Sequence, residues 1–147
     1  MTHTTEAGAR SNLNALALRT VLVLAGGLIA LTGINVGLGG IETLGLQGAH
    51  DFFAVTDKAM FQAQDSHVRF LGGLWLGVAL VFLAAAVRLK VFRVPLLACI
   101  GLIVVGGLAR FSVLDPAVVF GPAVVGSLAA ELVVMPLLAF WVWRSRT

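Results

Sequence analysis

Charge is scarce in this chain. Seven Asp and Glu and ten Lys and Arg make up 12% of its 147 residues, about half the share of an average soluble domain. With 59% hydrophobic residues and a mean hydropathy of +1.01, a water-soluble globule is excluded. Disorder is excluded with it, because disorder requires low hydrophobicity. Cysteine is almost missing: Cys99 alone cannot close an internal disulfide or hold a thiolate metal cluster. It lies mid-helix, with no base or helix N-terminus to activate it, and reads as a small packing residue. A Gly-rich phosphate loop, a G-x-S-x-G elbow and an H-E-x-x-H pair are all lacking, so neither catalysis nor a cofactor nor a metal is expected. Internal repeats, Ser- or Pro-rich linkers and low-complexity tracts are lacking too. The net charge of +3 would suggest nucleic acid in a soluble protein. Here the positive charges punctuate apolar runs, and no nucleic-acid partner is expected.

Long apolar runs are what the chain has instead. They extend from about Thr20 to Leu38, Val68 to Val87, Val91 to Val113 and Val118 to Trp143. A hydrocarbon core of about 30 Å needs about 20 helical residues. Backbone groups in lipid must be satisfied internally, and uninterrupted runs lack the alternation of barrel strands. The expected fold is therefore all-α, a four-helix transmembrane bundle over residues 13–147, preceded by a flexible polar tail over residues 1–12. Arg10 and Arg19 ahead of the first run fit the start of a signal peptide. That run is long and ends without an Ala-x-Ala site, so it reads as an uncleaved anchor.

Orientation follows from Lys and Arg in the short flanks. Arg10 and Arg19, then Arg88, Lys90 and Arg93 between the second and third runs, then Arg144 and Arg146, put seven on one side. Lys58, with Arg69 and Arg110 just inside helix ends, gives the other side three at most. Glu42, Asp51, Asp57, Asp65 and Asp115 lie opposite the basic side, and only Glu6 lies with it. Both termini are expected in the cytoplasm, in an inner membrane, with Trp141, Trp143 and Arg144 as interfacial anchors. The segment from Gly39 to Asp65 is the one sizeable outer piece. Gly39, Gly40, Gly45 and Gly48 read as loop. From Asp51 to Gln64, Phe52, Phe53, Thr56, Met60 and Ala63 share one face of a short helix, lying on the bilayer or capping the bundle.

Glu131 is the sharpest feature, because it interrupts an apolar run. At that depth a carboxylate costs at least about 2.5 kcal/mol, so it must face the interior with a partner, be protonated, or hold a cationic ligand. Arg110 is the best-placed partner. Its helix runs outward and that of Glu131 inward, and side chains lean toward their own N-termini, so the two lean toward each other. If Pro122 marks the first turn of the fourth helix, Glu131 lies about 14 Å in. Arg69 leans outward, toward Asp65 one turn earlier or toward Asp115 at the rim; a cluster of Arg69, Arg110 and Glu131 is the other arrangement. Pro136 removes a helical donor beside Glu131. Gly33-x-x-x-Gly37 and Gly73-x-x-x-Gly77 have the spacing of close helix approach, within the chain or in a homo-oligomer. His67, with His50 and Asp51, has zinc-ligand chemistry, but nothing in the spacing brings the three together.

Three patterns occur together: Asp65-x-x-x-Arg69-Phe70-x-Gly72-Gly73-x-Trp75-x-Gly77, Gly106-Gly107-x-x-Arg110, and Glu131 with Pro136. From Leu16 to Trp143 the chain resembles a bacterial family of four-helix integral-membrane proteins labelled a domain of unknown function, loosely similar to DoxX-like membrane proteins. The resemblance implies that Arg69, Arg110 and Glu131 are the family's polar set, and carries no activity. The cysteine pairs of redox-linked DoxX-like proteins are missing. The expected role is an accessory or binding protein for a partner protein or a lipid-like molecule. The alternative is a small oligomeric transporter with Glu131 as its proton or cation site. Small multidrug transporters are of this size and use one membrane glutamate, but theirs lies in the first helix, which is uncharged here.

Overall fold

The computed structural model describes the backbone of residues 3–46 and 55–145, and the side chains of 12–43 and 55–145. Among these every regular element is helical. Helix α1 runs His3–Gly39 and is followed by a 3-10 segment, Gly40–Leu46. Helix α2 runs Lys58–Val87 and α3 Leu89–Ala109, with a 3-10 turn over Arg110–Val113. The short α4 (Pro116–Val119) and α5 (Val125–Ala129) lead into a π turn, Ala130–Val134, and then into α6, Met135–Arg144.

Four helical spans are long and apolar enough to cross a membrane: Asn12–Thr43, Lys58–Val87, Leu89–Val113 and Val125–Arg144. Their most apolar windows are only 22–28% buried. Leu24, Leu28, Leu80, Leu102 and Leu137 are each at least 60% exposed. In water so much open apolar surface would drive aggregation; against lipid tails it is the ordinary outer face of a span.

Three boundaries differ from the sequence expectation. Helix α1 begins at His3, so residues 3–12, expected as a tail, extend the first helix; they contain no proline to stop it. The short helix expected over Asp51–Gln64 is not a separate element where it is described. Residues 58–64 are the first turns of α2, whose start is capped by the Asp57 carboxylate accepting from the Met60 N–H at 3.0 Å. Residues 51–54 lie outside the described residues. Finally, the fourth span starts later than Val118. Asp115 caps α4, accepting from the Ala117 N–H at 2.9 Å. Gly121-Pro122 then turns the chain, with the Val125 N–H donating to the Gly121 carbonyl. Pro122 therefore sits in a turn, not in the first turn of the span.

The chain forms two compact units, one of Thr20–Ala86 and one of Val87–Thr147 with Met1–Arg19. In the first, α1 and α2 pack through glycine. A Cβ on Gly33 would come within 2.7 Å of the Leu76 backbone nitrogen, and one on Gly72 would overlap the backbone of Gly37. Backbones touch where small residues allow it, and in lipid that contact holds helices together. Gly33 and Gly37 thus face α2, but their partner is Gly72. A Cβ on Gly73 or Gly77 would meet nothing within 4 Å. Gly73 and Gly77 thus stand off the α1 contact; two adjacent glycines lie about 100° apart around a helix, and spacing alone cannot choose which of them faces α1.

In the second unit α3 packs on the π turn and on α6. Leu96, Ile100, Ile103 and Gly107 are the buried residues of α3, and Leu128, Glu131, Met135, Leu138 and Val142 those of the fourth span. Both sets alternate steps of three and four residues, the period of a helix–helix seam.

Gly72→Ala is expected to lower the stability of the detergent-solubilised protein by about 2 kcal/mol, as overpacking against backbone does. Gly73→Ala and Gly77→Ala should be neutral or gain up to about 1 kcal/mol from helix propensity. Thermal unfolding of the three variants checks this, and equal losses would place the α1–α2 contact elsewhere.

Candidate functional site

The seam of α3 reaches Gly107 and takes one more step of three, to Arg110. On the facing span the seam position at that level is Glu131. The Arg110 Nε donates to Glu131 Oε2 and Nη2 to Oε1, both at 2.7 Å. This is the planar two-point fork by which guanidinium grips carboxylate. The Glu131 side chain is 10% exposed and that of Arg110 38%, so the carboxylate is enclosed while the guanidinium stays partly exposed. Glu131 lies six residues after the start of its span at Val125, about 9 Å in. That is shallower than the 14 Å that Pro122 implied, and it places Glu131 in the first half of its span.

Two local features make the pair possible. Gly107, one turn before Arg110, lets the helices close: a Cβ there would come within 2.8 Å of Leu132 Cδ2 and 2.9 Å of Glu131 Cβ. The second is the π turn. Pro136 has no N–H, and in a regular helix its ring would press on the Leu132 carbonyl. Here the backbone widens by one residue per turn just before it, the Met135 N–H donating to the Ala130 carbonyl. Such widened turns are rare and recur at functional positions. Pro136 was visible in the sequence; the turn that accommodates it was not.

The other polar residues act locally. Arg69 Nε donates to Asp65 Oδ2 at 2.6 Å, the one-turn pairing expected of them, and Nη1 donates to the Leu38 carbonyl at the end of α1. Asp65 Oδ1 accepts from the Ile41 N–H at 2.8 Å, beyond that end. The pair is therefore a clamp on the α1 terminus, where backbone groups lose their helical partners. Gly40 between them has φ +68°, and any side chain there would overlap the Asp65 carboxylate. Sequence reasoning gave Gly40 to a loop and missed this contact. Asp115, expected at a polar rim, spends its carboxylate on capping α4. His67 is exposed, and His50 and Asp51 lie outside the described residues. Cys99 is half-buried. Among the described residues no group of His, Cys, Asp and Glu has the geometry to hold a metal ion.

Residues 17–142 match the family model of a domain of unknown function, DUF4345. The chain belongs to the DUF4345 family. No curated protein and no solved structure matches it. The family match in this DUF4345 chain takes in both ion pairs and all four helical spans in large part, which ties the polar residues to the family's own domain and not to an appendage.

The pair in the DUF4345 seam carries a quantitative expectation. Glu131→Gln and Arg110→Gln should each destabilise the protein, and the double variant should recover much of the loss, with a coupling of about 2 kcal/mol in a thermal double-mutant cycle. Gly107→Ala should shrink that coupling by separating the helices. Additive losses would mean that the carboxylate is not held by Arg110 in the folded protein.

Proposed function

We propose that the protein is a multi-pass accessory protein of a bacterial inner membrane, and not an enzyme, which binds a partner protein or a lipid-like molecule. Its orientation, with both termini and the Arg88–Arg93 turn in the cytoplasm, is supported by the excess of Lys and Arg in those flanks. A distant kinship with DoxX-like membrane proteins is supported by the four apolar spans, the second and third joined by a tight turn at Arg88.

The observation that carries the binding role is the closure of Glu131. A carboxylate that carries protons or cations must exchange its counter-ion in every cycle. Glu131 is gripped on both oxygens by a guanidinium of its own unit, and the fixed charge competes with any incoming cation. What such a pair does well is fix helix register, leaving recognition to outer faces. One such face is open: a Cβ on Gly73 or Gly77 meets nothing within 4 Å. The second reading, an oligomeric transporter working through Glu131, is favoured by the π turn alone, since a widened turn can change its hydrogen bonding.

Adding tetraphenylphosphonium to the protein in lightly buffered detergent separates the two readings. The expected result is no more proton release from wild type than from Glu131→Gln. Protein isolated in mild detergent should keep a companion, protein or lipid, at a fixed ratio, and lose it when Gly73 and Gly77 are replaced by Leu. Proton release that Glu131→Gln abolishes would establish the transporter and overturn the accessory role.

A further inference from the structure

The second unit is polarised along its length. Near one end lie Asp115 and the neutral Arg110–Glu131 pair. At the other end Arg93 Nη2 donates to the Ser145 carbonyl, which draws the first turns of α3 and the last turn of α6 together. Arg88 and Lys90 open α3 and Arg144 closes α6, so all three lie at this end; all are exposed, with Arg144 over the Phe140 ring at 5.3 Å. None of the three has an acidic partner among the described residues. The nearest described carboxylate along the Val125–Arg144 span is Glu131, thirteen residues and about 20 Å from Arg144. Beside these cations the surface is apolar: Val91 is 67% exposed, Val94 75%, Phe140 53% and Trp143 70%.

A free anion would use only the cations, and an acidic protein segment would leave the apolar border uncovered. An anionic phospholipid uses both, its phosphodiester on the guanidinium and ammonium groups and its acyl chains along the valines and aromatics. We propose that the Arg88–Lys90–Arg144 end is a binding surface for anionic phospholipid headgroups. The surface stands apart from the Glu131 pair, and it depends neither on the accessory role nor on which side of the membrane this end faces.

Trp141 and Trp143 adjoin Arg144 and report on this end. The full chain carrying Trp75→Phe, which leaves only those two tryptophans, is reconstituted in phosphatidylcholine, and quenching by brominated phosphatidylglycerol is compared with quenching by brominated phosphatidylcholine. Each cation near the surface is worth about a fivefold preference for an anionic lipid, so wild-type preference should exceed about tenfold. It should fall close to one in Arg88→Gln/Lys90→Gln/Arg144→Gln, and should fall in wild type itself at 1 M salt, where charges are screened beyond about 3 Å. Inorganic phosphate at constant ionic strength should not displace the lipid. A wild type with no preference, a preference that survives the triple variant or high salt, or displacement by phosphate would each overturn the proposal.

Discussion

A carboxylate in hydrocarbon must be neutralised, and the second unit is arranged around that requirement. Glu131 occupies a seam position that Leu128, Met135, Leu138 and Val142 otherwise fill with apolar groups. The charge is therefore enclosed by the same packing that holds the helices together. Removing it from water costs more than a neutral side chain would, and only a partner bound on both oxygens offsets much of that cost. The fork has a short reach, so it works only if the helix axes are close. Gly107 is where they are close, and its missing side chain is as much a part of the pair as Arg110. The pair in turn excludes other registers, since a shift of α3 by one residue would carry the guanidinium about 100° around the helix.

The first unit solves a different problem with the same chemistry. There the groups at risk are backbone atoms at the end of α1, which have no helical partners and little water. Arg69 supplies a donor to the Leu38 carbonyl and Asp65 an acceptor to the Ile41 N–H. The ion pair between Arg69 and Asp65 holds both side chains in place for that task. One arginine–carboxylate pair is thus buried to set the register of two helices. The other is a cap that lets a long helix stop and turn at Gly40.

Much of this was legible in the sequence. Four long apolar runs state the helix count, because uninterrupted runs lack the alternation of barrel strands and only helices then satisfy backbone in lipid. The Arg110–Glu131 pair followed from opposite helix directions and the lean of side chains, and Asp65–Arg69 from a spacing of four. That Gly72 and not Gly73 meets α1 was hidden for a plain cause: the two are chemically identical, and only the facing helix distinguishes them. The late start of the fourth span was hidden because Val118–Val125 is as apolar as the span itself, and hydropathy cannot see the Gly121-Pro122 turn. The seam repeat through Leu96, Ile100, Ile103, Gly107 and Arg110 was present in the sequence. It would have singled out Gly107 over Gly106 had the steps of three and four been followed to the arginine.

The distribution of partners has a consequence for where recognition takes place. The two ion pairs among the described residues each lie within one unit: Glu131 with Arg110, Asp65 with Arg69. Each pair is neutral and already uses its strongest donors and acceptors, so neither offers a ligand more than it would take away. Of the described cations that have no acidic partner, Arg88, Lys90 and Arg144 stand at one end of the second unit, bordered by exposed valines and aromatics. An arrangement that neutralises its interior and leaves an uncompensated cationic edge can hold anions only at the level of the headgroups. The π turn ahead of Pro136 belongs to the neutral half, where it lets the helix accommodate the proline while Glu131 stays on the seam. Register is thus set in one half of the unit and the cationic edge sits in the other, about 20 Å apart along the Val125–Arg144 span. A change at one end need not disturb the other.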